Sequence, residues 1–488
     1  MQAHTTYERA RLSRDARFDG QFYVGVRTTG IYCRPICPAN PPKRENITFY
    51  PTAAAASEAG LRPCLRCRPE CAPGTPAWSG TSTTVSRGLR LIAEGALDEG
   101  NVERLSERLG VTSRHLRRLF TKHLGASPLA IAHTQRLHFA KRLIDDTAMS
   151  MQEIASVSGY GSVRRFNDTF RKTYGRAPRD LRRDGAKVVA GKGLTVRLSY
   201  RQPYDWPDML AFFAARAIPG VEHIADGCYS RSIVAHGNPG IITLRDEPQR
   251  CNLLLTLYGA STRSLFPIVQ HAREVFDLDA PISDITRALS TDPVLKQELR
   301  RAPGIRVPGA WDGFEVSVRA ILGQQVSVKA ATTLAGRVAE RYGEPLHIET
   351  GGNADLPTVV FPRPERLMRA RFNAMGLIGS RIDTIRLMAK SVANGDVVFE
   401  TSQDSAAFCA AITELRGIGD WTAQYIAMRA LKHPDAFPAS DLGLLRAFDA
   451  PGRARLRPAQ LLQMAESWRP WRAYAARLLW NRDPGSGG

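Results

Sequence analysis

Four of the eight cysteines in this 488-residue chain stand as two close pairs, Cys33 with Cys37 and Cys64 with Cys67, and 26 residues separate the pairs. The N-terminus mixes Arg9, Arg11 and Arg14 with Glu8 and Asp15 and has no apolar leader, and no later stretch approaches the ~20 apolar residues of a membrane span. A cytoplasmic protein with no membrane partner is expected. In a reducing compartment, cysteines paired at short spacing are metal ligands more often than disulfides. Four thiolates suit one tetrahedral zinc ion, because two short loops can each present a pair of sulfurs to it. Cys33, Cys37, Cys64 and Cys67 are the expected ligands. Cys71, spaced C-x3-C from Cys67, stays open as a rival in the second pair.

A chain of this length exceeds a single hydrophobic core, so about three or four folding units are expected. The formal net charge is +20. It is uneven: residues 1–185 hold 30 Lys and Arg against 17 Asp and Glu, a surplus of +13. Such an excess implies a polyanionic partner, and nucleic acid suits it better than a membrane surface, since no basic amphipathic helix stands alone. Two small, polar, Gly/Pro-rich stretches, 72–84 and 184–193, read as linkers. The strand-like "LTVRLSY", "GIITLRDE" and "CNLLLTLYG" are followed, after about residue 283, by helical periodicity. The fold class expected is multidomain and mainly α, with a small α+β subdomain ahead of an all-helical one.

The cysteine pairs lie within "FYVGVRTTGIYCRPICPA", "RENITFY" and "GLRPCLRCRPE". In that order these motifs resemble the N-terminal domain of the bacterial Ada adaptive-response regulator, and a zinc-binding α+β domain over 1–75 is assigned. Spacing alone favours an inert zinc staple. The resemblance implies more: Cys33 is both a zinc ligand and the irreversible acceptor of a methyl group from a DNA phosphotriester. Metal binding keeps a thiolate available at neutral pH, which makes such a nucleophile reasonable. Exchanging that anionic thiolate for a neutral thioether removes repulsion from the DNA backbone, so methylation is expected to tighten DNA binding. Lys43, Arg44, Arg66 and Arg68 are backbone-contact candidates.

Residues 102–128 read as helix, Gly110 turn, helix, with Leu116, Leu119, Phe120 and Leu124 on one face and Ser113, Arg114, Arg117 and Arg118 on the other. Forty-nine residues later Gly159 repeats the break; Val163, Phe166 and Phe170 are expected inside, and Arg164, Arg165, Asn167 and Arg171 outside. One helix is expected to connect the two units. Two helix-turn-helix units on a rigid connector can enter successive major grooves, about 34 Å apart. The doubled unit resembles the AraC-type DNA-binding domain over 83–184. Operator DNA is the implied partner, with RNA polymerase a further candidate. A basic helical bundle with no groove reading is the bland alternative.

The segment "ELRGIGDWTAQYIAMRAL" places Gly417 and Gly419 at a turn that opens a helix, where backbone N–H groups can hold a phosphate. It resembles the helix-hairpin-helix of DNA glycosylases. Together with "FPASDLGLLRAF", "FEVSVRAILGQQVSVKAATTLAGRVAERYGE" and "WRPWRAYAARLLW", residues 194–482 are similar to bacterial 3-methyladenine DNA glycosylase II. The resemblance divides them into an α+β subdomain resembling half of a TATA-binding protein (194–300) and an all-α glycosylase domain (301–482). It makes Asp441 the catalytic carboxylate, Trp421, Tyr425 and Trp480 the flipped-base pocket, Gln324 and Gln325 the loop that enters the DNA gap, and the hairpin a candidate monovalent-cation site. Spacing alone makes Asp441 or Ser440 a helix cap. The two roles are compatible, because an anion stabilises developing oxocarbenium character as the N-glycosidic bond breaks.

Related bifunctional glycosylases carry a lysine nucleophile two residues after the second hairpin glycine; Trp421 stands there, so a monofunctional enzyme is expected. Cys409 is the only cysteine after residue 251, which argues against an iron–sulfur cluster. No P-C-H-R motif occurs, and repair of O6-methylguanine is not expected. Three departures concern rate and preference: Gln325 stands in place of an apolar wedge, Leu442 in place of an aromatic residue, and Arg416 in place of a hairpin proline. The main reading is an alkylation-response protein that excises alkylated purines, senses methylphosphotriesters and regulates transcription. The alternative is a zinc-containing regulator whose glycosylase-like half only recognises distorted DNA.

Overall fold

The structure is a computed structural model, and it describes residues 2–73, 83–93, 95–97, 101–182, 193–235, 237–261, 264–348, 356–373, 375–400, 403–449 and 455–482. Residues 74–82 and 184–192 of the two expected linkers lie outside the described residues, and Thr83 and Thr84, expected in the first linker, already belong to the helix Thr83–Ala93. Two compact units form: Met1–Gln202 with Asp246–Arg273 and Leu278–Pro281, and Pro203–Arg245 with Glu274–Asp277 and Ile282–Gly488.

The first unit begins with a four-stranded sheet of β1 (Tyr23–Val26), β2 (Ile31–Cys33), β3 (Ile47–Tyr50) and β4 (Arg62–Pro63), in spatial order β3-β1-β2-β4. β2 runs antiparallel to β1 and parallel to β4, which brings the chain ends carrying the two cysteine pairs to one edge. Apolar packing here is slight, with Phe22, Val24, Val26 and Ile47 on one side and Tyr23, Tyr32, Ala53 and Ala56 on the other.

Two helix pairs follow, Val102–Arg108 with Ser113–Leu124 and Met151–Val157 with Val163–Tyr174, joined by the single helix Pro128–Asp146. Each second helix starts at a hydroxyl cap: Thr112 accepts from His115 N at 3.3 Å, and Ser162 from Arg165 N at 3.2 Å. The intervening turns need left-handed backbone, and Gly110 (φ 69°) and Gly159 (φ 72°) supply it. Leu116, Phe120 and Leu124 are buried, as are Phe166 and Phe170. Val163 is not: it is 37% exposed, because it is the first residue of its helix and no preceding turn covers it.

Polar contacts tie the zinc-type sheet to the connector helix. Arg68 pairs with Asp145, Lys141 Nζ lies 2.6 Å from the same carboxylate, and Tyr32 Oη lies 3.2 Å from His138 Nε2. Burial pushes His138 down to about 3, so this imidazole is neutral at physiological pH. Strand Leu194–Ser199 pairs antiparallel with Asn252–Tyr258 and joins the same unit through Arg197, 3.1 Å from Asp146.

In the second unit, strands Glu222–Ala225, Cys228–Ala235 and Asn238–Glu247 form an antiparallel meander. The helices that follow pack around Gly313–Leu322, which is apolar on nearly every face and correspondingly buried. The expectation of an all-helical region after residue 283 needs one correction. Glu344–Pro345 and Val359–Val360 pair as a two-residue antiparallel ladder, flanked by Leu346 N donating to Thr358 O at 2.7 Å, and the β-branched pair suits extended backbone.

A buried ionic cluster joins meander and helix: Arg231 lies 2.8 Å from Glu315 and 3.8 Å from Glu222, and Arg319 lies 3.3 Å from Glu222. Removing one partner strands a buried charge. Glu315→Ala is expected to destabilise this unit by about 3–5 kcal/mol. Tryptophan fluorescence during urea unfolding measures it, since every tryptophan except Trp78 belongs to this unit.

Candidate metal centre and carboxylate site

β2 ends at Cys33, the turn that follows closes with Cys37 N donating to Arg34 O at 3.1 Å, and Cys64 N donates back to Tyr32 O at 3.0 Å. The result is one focus of thiols. The sulfurs of Cys33, Cys37, Cys64 and Cys67 all lie within 4.8 Å of one another. At zinc–sulfur distances of about 2.3 Å, tetrahedral geometry sets sulfurs about 3.8 Å apart, so the donor set fits a single zinc ion. Cys71 lies outside the cluster, at the end of the 3-10 turn Pro69–Cys71, so the thiols that share the focus with Cys33 and Cys37 are those of Cys64 and Cys67. Hydrogen bonds among the thiols push Cys33 and Cys67 up and Cys37 and Cys64 down, so with no cation the four do not ionise together. The amide of Arg34 donates to Cys67 Sγ at 3.3 Å.

On the first recognition-type helix Arg114, Arg117 and Arg118 are exposed, Arg117 reaching Glu103 at 3.3 Å and Arg118 lying 3.0 Å from His115 Nδ1. On the second, Arg164 and Arg165 are exposed. Asn167, expected outside, is half-buried.

The second unit gathers Asp441, Trp421, Tyr425 and Trp480 from three helices. Asp441 precedes helix Leu442–Arg446 and caps it, Oδ1 accepting from Leu444 N at 3.1 Å. Both oxygens also take indole N–H groups: Trp480 donates to Oδ1 at 3.0 Å and Trp421 to Oδ2 at 2.8 Å. Tyr425 stacks on Trp421 with 5.4 Å between centroids and 8° between planes, four residues along helix Asp420–Arg429. Arg429 donates to the Tyr425 hydroxyl at 2.7 Å. Burial raises the Tyr425 pKa, but the surrounding Arg429, Arg216 and Arg319 guanidiniums outweigh it and hold the phenol below its usual range. Ser440 is exposed and does not cap the helix.

Gly417 has φ 91°, and a Cβ there would meet Thr384 Oγ1 at 2.1 Å; Gly419, the residue before the helix, has open space where a Cβ would be. Gln324 and Gln325 have different roles. Gln324 is held down, its amide donating to Gly417 O at 2.9 Å and Thr422 Oγ1 at 3.1 Å, whereas Gln325 is exposed at φ 57° between helices Gly313–Leu322 and Val328–Tyr342. Arg381, Thr384 and Thr422, which brace this loop and hairpin, carry no motif and were not singled out from sequence.

Four family descriptions match in series: the metal binding domain of Ada over residues 6–70, a helix-turn-helix domain over 105–184, the AlkA N-terminal domain over 195–312, and the HhH-GPD superfamily base excision DNA repair protein over 318–473. A Mycobacterium tuberculosis protein named "Probable bifunctional transcriptional activator/DNA repair enzyme AlkA" is 41% identical over 98% of this chain and 96% of its own length. The chain belongs to this AlkA-type bifunctional activator/DNA repair enzyme family. Escherichia coli DNA-3-methyladenine glycosylase 2 is 34% identical over 58% of this chain and 95% of its own. In fold, the Archaeoglobus fulgidus 3-methyladenine DNA glycosylase covers 60% of this chain and 99% of its own, with a TM-score of 0.53 at 22% identity.

Membership in the AlkA-type family explains why zinc-binding, helix-turn-helix and glycosylase folds share one chain and why so basic a protein binds DNA. No helix among the described residues is long and apolar enough to cross a membrane. The thiol geometry makes a specific stoichiometric prediction. Zinc analysis of the purified chain should find one tightly held ion, lost in Cys64→Ser and retained in Cys71→Ser; equal loss in both variants would overturn the ligand set.

Proposed function

We propose that the second unit is a monofunctional DNA glycosylase that removes alkylated purines such as 3-methyladenine, and that Asp441 is its catalytic carboxylate. The observation that carries this is Asp441 bound by two indoles, one of them stacked on Tyr425. The aromatic faces of Trp421, Tyr425 and Trp480 suit an electron-deficient, flipped alkylbase, and the carboxylate supplies negative charge to the sugar as the bond to the base breaks. Water adds to the sugar, the base departs, and an abasic site remains. Trp421 stands where a lyase would need an amine, which supports hydrolysis alone. Gly417 and Gly419 offer backbone N–H groups to a phosphate, with a monovalent cation as a companion at that turn, and exposed Gln325 enters the gap left by the flipped base.

In the first unit, Cys33 accepts the methyl group of a DNA methylphosphotriester. Its thiolate forms the S–CH3 bond as the O–CH3 bond breaks, and the phosphate leaves as a diester anion. Tyr32 and Arg34 flank Cys33, and Tyr32 touches His138 on the connector helix, so methylation has a short physical route to the operator-reading helices. There Arg114, Arg117, Arg118, Arg164, Arg165 and Asn167 contact operator DNA, and RNA polymerase is the partner of the activated form.

Free 3-methyladenine and 7-methylguanine released from methylated duplex DNA test the glycosylase. Asp441→Asn keeps a good helix cap but faces an indole donor with an amide, and release should fall by about 10²-fold or more while DNA binding persists. No release by the intact chain on either base would favour the regulator with an inactive glycosylase-like half. For the sensor, mass spectrometry of zinc-loaded protein exposed to methylphosphotriester DNA should place one methyl on Cys33. Its absence would leave Cys33 a zinc ligand only.

A further inference from the structure

Helix Asp420–Arg429 carries a charged group that the chemistry above does not use, Arg429. Trp421, Tyr425 and Arg429 follow one another at i, i+4 and i+8, so they lie along one face with about 6 Å of rise per step. Asp441 takes the indole N–H of Trp421 at 2.8 Å, Tyr425 stacks on that indole, and Arg429 Nη1 donates to the Tyr425 hydroxyl at 2.7 Å. An anion is bonded to the first member of the aromatic pair and a cation to the second.

Other guanidiniums gather behind that cation. Arg216, Arg429 and Arg477 share the ring of Phe212, their Cζ atoms 4.0, 4.7 and 5.1 Å from its centroid, and Arg319 donates to the Arg216 carbonyl. Arg477 is matched by Asp208 at 2.7 Å and Arg319 by Glu222 at 3.3 Å. Arg216 and Arg429 have no carboxylate partner among the described residues: Arg216 donates to Phe212 O at 3.2 Å, and Arg429 to Gly309 O at 3.0 Å besides the hydroxyl. Arg429 is 5% exposed, and its Nε has no partner. Burial pushes Arg216 down to about 10. One aromatic ring and neutral carbonyls offset only part of the cost of keeping two such cations from water, so packing alone does not account for their charge.

We propose that Arg429, supported by Arg216, is a positioning residue for base release: it fixes Tyr425 against Trp421 through the hydroxyl, and it sets positive charge on the base side of the scissile bond while Asp441 sets negative charge on the sugar side. The inference rests on the glycosylase reading of the second unit. As the bond breaks, its electron pair passes to the base, so a cationic alkylpurine leaves neutral and the sugar gains the positive charge. A buried cation near the base opposes the charge of the bound substrate and not that of the departing base, and the anion favours the charge that appears on the sugar. Both groups drive charge in the same direction.

Steady-state release of free 7-methylguanine from methylated duplex DNA by the full chain tests it, with Asp441→Asn run alongside. Arg429→Met should lower kcat about tenfold or more with KM unchanged or lower, because the charge removed opposes the cationic ground state. Arg429→Lys keeps the charge and should recover part of the lost rate. Arg216→Met gives up only a bond to a carbonyl four residues back, so it should fold normally and show the same split more weakly; it decides the matter if Arg429→Met loses structure in urea unfolding. Equal rates in Arg429→Met and Arg429→Lys, a raised KM with kcat unchanged, or wild-type kinetics in Arg216→Met where Arg429→Met is unfolded, overturns the inference. Where Asp441→Asn still loses release, the glycosylase reading survives that result. No release by the intact chain overturns both.

Discussion

Four thiols within 4.8 Å of one another cannot all be thiolates unless a cation lies among them, and the N-terminal sheet is the element that brings them together. Its apolar clusters are small, Ala10, Phe22, Val24, Val26 and Ile47 in one and Tyr23, Tyr32, Ala53 and Ala56 in the other, and small domains with little core commonly draw stability from a bound metal. Zinc binding would join the end of β2 to the segment after β4, and through them fix Tyr32 and Arg34, the two neighbours of Cys33. Those residues face inward, to His138 and to Asp19. The side chains on either side of Cys33 are therefore already engaged with the rest of the unit.

The polar contacts of the first unit also explain why it extends past the second linker. Arg201 is fully buried and donates to Asp19 O at 3.0 Å, while Arg197 reaches Asp146. Each guanidinium gains bonds that a surface strand could not offer, so the strand Leu194–Ser199 is held by the elements before it as well as by Asn252–Tyr258. Buried charges of this kind add little net stability but penalise any arrangement that separates the partners.

Much of this was legible in the sequence. Cysteine spacing pointed to Cys33, Cys37, Cys64 and Cys67 with Cys71 left open, apolar periodicity marked both helix pairs, and the family motifs nominated Asp441, Trp421, Tyr425 and Trp480, which lie together in the structure. Local patterns fail where a residue's role is set by a distant neighbour. Val163 has the right period to be buried, yet the helix begins at it. Gln324 and Gln325 are adjacent and chemically identical, and only the hairpin beyond them distinguishes the braced one from the exposed one. Arg381 and Thr384 come from a helix with no motif, and their importance rests on carbonyl oxygens that sequence does not mark. The strand Glu222–Ala225 is only four residues long, and Cys228–Ala235 is buried on both faces through its middle despite Ser230, Arg231 and Ser232, so neither carries an apolar/polar alternation to recognise.

If Asp441 is the carboxylate of the proposed base release, the geometry around it bears on how it would act. A carboxylate accepts only, and here each oxygen already holds an indole N–H, with Oδ1 holding a backbone N–H as well. Three of its four lone-pair sites are thus committed, and one, on Oδ2, remains to accept from water. The same bonds leave the group unable to rotate, so its charge is fixed in direction before substrate arrives. The helix it caps is only five residues long and contributes little dipole, which makes the cap a positioning device more than a source of field. A preoriented anion suffices where the leaving base already carries positive charge, because the barrier lies in developing charge on the sugar and not in activating the water. By this reasoning, neutral damaged bases, which need protonation to leave, should be much poorer substrates than cationic alkylpurines.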